Sequence, residues 1–90
     1  MKPKTLHLHV SKYWHDLLKS GAKTTEYRAD TSYWGKRLRG KHYDRVSIMA
    51  GYCPGAALFF EVLGIEPTRE PNDLGLEKVW AIRLGRRIEP

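Results

Sequence analysis

The residues best suited to chemistry lie in one short run, Gly21-Ala22-Lys23-Thr24-Thr25-Glu26-Tyr27-Arg28. On a strand, side chains two apart share a face. Thr24, Glu26 and Arg28 therefore align. Lys23 has the opposite parity, but it falls in the turn after Gly21 and can swing to the same side. Arg28 offers a planar fork that grips a phosphate or a base edge and stacks on aromatic rings. Glu26 can accept from an exocyclic amine or act as a general base. Lys23 can serve as a point charge for phosphate or, if desolvated beside Arg28, as a base or nucleophile. The plain alternative is a Glu26–Arg28 pair on an exposed strand, worth less than ~1 kcal/mol.

These side chains need elements to hold them. Thr5–Val10 alternates, with Leu6, Leu8 and Val10 on one face and His7 and His9 on the other, as a half-buried strand does. Ser11 reads as a helix N-cap whose hydroxyl accepts a backbone N–H. Trp14, Leu17 and Leu18 then form an apolar stripe at helical spacing. Lys19 suits the last turn, and Gly21 suits the left-handed residue that stops the helix. A second strand is expected over Thr24–Ala29. Asp30-Thr31-Ser32 is a turn and cap cluster, and Tyr33–Arg39 is a short helix or irregular segment broken by Gly40.

Arg45–Tyr52 alternates as a strand, and Cys53-Pro54-Gly55 is a turn. Ala57–Ile65 is apolar on both faces and is expected to be the most buried strand. Pro67–Gly75 reads as a loop. Lys78–Leu84 is the last strand, with Trp80, Ile82 and Leu84 inward, and Gly85–Pro90 reads as a basic tail. Several short strands with one early helix predict an α+β fold, a small mixed β-barrel of five to six strands with one or two short helices.

The spacing Gly21-x-Lys23-x-x-Glu26-x-Arg28 after a strand and a helix resembles the G-x-K-x-x-E-x-R signature of ASCH domains. The order of the remaining elements follows that family's layout over nearly the whole chain. The resemblance implies one PUA-like barrel over residues 1–90. It implies an RNA- or nucleotide-binding domain of RNA metabolism or processing; no cofactor is expected. The alternative it offers is a hydrolase acting on acetylated cytidine or on RNA; from the residues themselves, Lys23 would be its base or nucleophile activator, Glu26 its acid/base and Arg28 the contact to an oxyanion or phosphate. In the amidohydrolase members a Thr stands where this chain has Glu26.

Further candidates surround the motif. Tyr33, Trp34, Arg37, Arg39, Lys41, His42 and Tyr43 interleave rings with cations, a pattern that stacks unpaired bases while tracking phosphates. Of these, Trp34 is expected in the core. Tyr33, Arg37, Arg39 and Lys41 are candidate contacts to nucleic acid, and Tyr52 is a candidate stacking wall. Glu61, on an apolar strand, needs a partner if buried and can face Arg28 or Lys23. His7 and His9 form an H-x-H, but no other His or Cys is arranged to complete a metal site. His15 and His42 are expected on the surface. Cys53 has no evident base and reads as a packing or surface thiol.

Charge is consistent with a polyanionic partner. There are 16 Lys and Arg against 10 Asp and Glu, a net charge of +6. Neutralising phosphates releases condensed counterions, which favours RNA over a neutral partner. A solvated basic surface with no specific partner is the alternative. The single cysteine excludes an internal disulfide and fits a reducing compartment. No apolar run approaches the ~20 residues of a membrane span, and Met1–Val10 lacks the apolar core of a signal peptide. The expectation is a cytoplasmic location and no membrane partner.

Overall fold

The computed structural model describes residues 3–51 and 57–88. The elements run β1 (Thr5–Val10), α1 (Lys12–Ser20), β2 (Thr25–Ala29), α2 (Ser32–Leu38), β3 (Arg45–Ala50), β4 (Leu58–Thr68) and β5 (Val79–Ile88). All strands join one sheet in the order β1-β3-β4-β5-β2. Among the described residues only β1 and β3 pair in parallel. The chain between them makes a crossover, as parallel neighbours require, and α1 lies against both.

The sheet curls into a half-barrel rather than closing. Thus the expected α+β class, strand number and two short helices are present, while the closed barrel is not. The curl has a local cause. The β4–β5 register shifts between Phe60 and Val62 and again between Val62 and Gly64, and bulges bend and twist the strand that carries them.

One apolar cluster forms the core. Leu6, Leu8, Leu18, Leu38, Val46, Ile48, Leu58, Phe60, Trp80, Ile82 and Leu84 are buried together. Truncating one such side chain costs ~2–5 kcal/mol. That exceeds what an exposed ion pair contributes, so the fold rests on this cluster.

Several expectations need correction. The most buried strand is β5, where Val79, Trp80, Ala81 and Ile82 are all at most 3 % exposed. In β4 only Leu58 and Phe60 are buried, and Leu63, inside the second register shift, is 72 % exposed. β4 also runs on through Pro67. There it pairs only with β5, so its other edge needs no donor from proline. The expected basic tail is strand as far as Ile88, with Phe60 opposite Arg87 and Phe59 opposite Ile88. Ser11 caps α1 by backbone position, but its hydroxyl makes no cap bond. Thr31 caps α2 as expected, accepting from the Trp34 N–H at 3.3 Å. His15 is buried, since it shares the inner face of α1 with Leu18. His42 is exposed beside Asp44.

Tyr52 and the Cys53-Pro54-Gly55 turn lie outside the described residues. No described helix is long and apolar enough to cross a membrane.

Candidate functional site

The end of α1 sets the geometry. Gly21 takes φ 84°, a left-handed conformation that costs a side-chain-bearing residue steric strain. Its N–H returns to the Leu18 carbonyl at 3.2 Å, and the Lys23 N–H returns to Leu17 at 3.2 Å. Lys23 is thereby fixed against the helix it has just left, with its side chain directed at β2.

Lys23, Glu26 and Arg28 meet in one cleft of about 350 Å³, which Trp14, Tyr27, Trp34 and Asp73 also line. That volume is at the lower end of small-ligand sites, ~300–1,000 Å³. Glu26 lies at its centre, only 4 % exposed. Its Oε2 accepts from Arg28 Nη2 at 2.6 Å, and its Oε1 is 3.2 Å from Lys23 Nζ. Lys23 also pairs with Asp73. Two cations thus face two carboxylates, and the formal charge of the cleft is zero.

The rings hold the cations as well. Lys23 Nζ is 4.5 Å from the Trp14 ring centre and 5.7 Å from that of Tyr27. The Arg28 guanidinium carbon is 5.0 Å from the centre of Trp34. Such contacts are worth ~0.5–2 kcal/mol, more as water is excluded. Arg28 further donates to the His9 carbonyl at 3.1 Å. Its Nε–H is buried and has no partner among the described residues.

Behind the cleft a second network braces Tyr27 and the β4–β5 loop. The Tyr27 hydroxyl donates to Glu70 Oε2 at 2.8 Å. Arg83 donates to the same oxygen at 2.9 Å and to Glu66 at 2.8 Å. The Arg83 and Tyr27 hydrogen bonds hold the Glu70 carboxyl well below its ordinary 4.5, at about 2. Burial, then the bond to Glu70, pushes the Tyr27 phenol up. Within the loop, Asn72 Nδ2 donates to the Leu76 carbonyl at 2.8 Å, and its Oδ1 accepts from the Leu74 N–H at 3.0 Å. These bonds shape the turn that presents Asp73.

The structure therefore brings Lys23, Glu26 and Arg28 together. It leaves Tyr33, Arg37, Arg39 and Lys41 outside the cleft lining. Arg37 stacks 3.5 Å from the centre of the half-exposed Tyr33 ring. Arg39 lies 5.2 Å from the centre of Trp80. Trp34 is only half-buried, and it serves both the core and the cleft. Glu61 faces Arg86, at 3.5 Å, rather than the motif. His9 Nδ1 lies 2.9 Å from the Gly51 carbonyl. No group of three or more His, Cys, Asp or Glu able to hold a metal occurs among the described residues.

Sequence reasoning missed Asp73, Trp14 as a wall, and the Tyr27–Glu70–Arg83 brace. Trp14 carried a faint signal, being on the helix that ends at Gly21. Asp73 carried none, because its contact with Lys23 spans 50 positions. Comparisons with protein families, with curated proteins and with solved structures give no match.

Proposed function

We propose that this chain is an RNA- or nucleotide-binding domain of the ASCH type, and that it captures a base in the Lys23–Glu26–Arg28 cleft. The observation that carries the reading is the convergence of those side chains in one concave site walled by Trp14 and Trp34. Arg28 lies over Trp34, and a guanidinium plane is a stacking surface for an unpaired base. A ring nitrogen or carbonyl of the base would satisfy the buried Arg28 Nε–H. Arg37, Arg39 and Lys41 would meet the phosphates outside, with Tyr33 as a further stacking surface.

The hydrolase alternative needs Lys23 or Glu26 available to react. Lys23 is held by two carboxylates and Glu26 by two cations, an arrangement that supports holding a ligand over transforming it. The test is titration of single-stranded RNA at low salt against the unmodified chain and Arg28→Ala. Binding weakened at least tenfold in the variant is expected, a stacked and hydrogen-bonded contact being worth ~1–3 kcal/mol. Equal binding, or none by either, overturns the reading. Turnover of acetylated cytidine or RNA that vanishes in Lys23→Ala would put the hydrolase in its place.

A further inference from the structure

One carboxylate of the cleft lies outside the motif. Asp73 comes from the β4–β5 loop and pairs with Lys23, as Glu26 does from β2. Without it the cleft would hold Lys23 and Arg28 against Glu26 alone and carry one net positive charge. With it the charge is zero, although the chain as a whole carries +6.

We propose that Asp73 is a specificity-determining residue that shuts phosphate out of the cleft, so that it takes the uncharged base of a nucleotide and leaves the phosphates on the outer cations. This rests on the base-binding reading above. A phosphate monoester carries about −1.5 to −2 at pH 7. To reach Lys23 it must either displace Asp73 or sit beside two carboxylates, and like charges placed together in a half-buried site are strongly disfavoured. Lys23 and Glu26 side chains are 9 % and 6 % exposed, so water screens these charges poorly. A neutral heterocycle meets no such penalty. It can donate to the carboxylates, accept from Arg28 and stack on the rings. Asp73 is well placed for the task because Asn72 and Glu70 fix its loop independently of Lys23.

The test compares Asp73→Asn, which keeps the shape and removes the charge, with Asp73→Glu, which restores it. Each is titrated, beside the unmodified chain, with a ribonucleoside, its 5′-monophosphate and inorganic phosphate, following tryptophan fluorescence at low salt. In Asp73→Asn the ratio of monophosphate to nucleoside affinity is expected to rise about tenfold or more, a unit charge a few ångströms away being worth at least that. Inorganic phosphate is expected to gain measurable binding. Asp73→Glu is expected to bring the ratio back. An unchanged ratio in Asp73→Asn, or an Asp73→Glu that behaves like it, overturns this inference and leaves base binding standing. Gain of phosphate by Asp73→Asn while no form binds a nucleoside or RNA overturns base binding instead.

Discussion

The Arg28 guanidinium on β2 donates to the His9 carbonyl on β1 at 3.1 Å. These strands stand at opposite ends of the sheet order. One side chain therefore ties the two margins of the half-barrel across the opening in which the cleft lies. The same group bonds Glu26 at 2.6 Å, so the closure of the fold and the charge balance of the site depend on a single arginine.

Removal of Arg28 should therefore register as lost stability. Arg28→Ala is expected to cost about 1.5–3 kcal/mol, the usual value of hydrogen bonds to charged groups. Glu26→Ala should cost more, about 3–5 kcal/mol, because it leaves two poorly hydrated cations short of their shared partner. Urea midpoints for both variants check the order. A costlier Arg28→Ala would mean that the tie to His9 outweighs the buried carboxylate.

The salt dependence of RNA binding should divide the cations into two sets. Lys23 and Arg28 already face carboxylates, so they release few counterions when RNA binds. Replacing Arg37, Arg39 and Lys41 together should lower the slope of log K against log[salt] by about 2, at ~0.7 per phosphate on single strands. Arg28→Ala should lower affinity at every salt concentration with little change of slope. Equal slope changes in the two would place phosphate inside the cleft.

The contrast between β2 and β4 shows which features could be read in advance. Gly21 and the alternation of Glu26 with Arg28 are local matters of helix stop and strand parity, and both appear as expected. Alternation fails where bulges interrupt it, as at Leu63, which turns outward although its neighbours read as core. The run after Leu84 reads as a tail because its cations hide a strand that is defined only by its partners Phe59 and Phe60. Asp73 was invisible for a related reason, since nothing near it in sequence needs a carboxylate. Tertiary pairing alone brings its loop to Lys23.

Two glycines should behave differently on substitution. A Cβ at Gly21 would meet only open space, but the residue sits at φ 84°, so Gly21→Ala should cost about 1–2 kcal/mol through the backbone alone. It should also misdirect Lys23 and weaken binding. At Gly85 a Cβ would lie 2.8 Å from Leu63 Cδ2. Leu63 is exposed and can move, so Gly85→Ala should cost less, and adding Leu63→Ala should recover most of the loss. A double-mutant cycle with no coupling would refute the contact.

The Glu70 brace should give the protein a distinct acid limb. Hydrogen bonds from Arg83 and Tyr27 lower the Glu70 carboxyl from 4.5 to about 2. A group depressed in the folded state contributes stability that is full above its unfolded value and fades as the folded form takes up its proton. The contribution of Glu70 should therefore be complete above pH ~5 and disappear between about pH 4.5 and 2. Tyr27 runs the other way. Its raised phenol adds stability below pH ~10 that is lost only in stronger alkali. Asp16 and Asp44 are also lowered and will steepen the acid limb of every variant equally. The useful quantity is thus the difference between the unmodified chain and Glu70→Gln, measured as melting temperature from pH 2 to pH 7. That difference should be largest near neutrality and shrink steadily below pH 4.5. A gap that stays constant down to pH 2 would mean that Glu70 braces Tyr27 and the loop by shape rather than by charge.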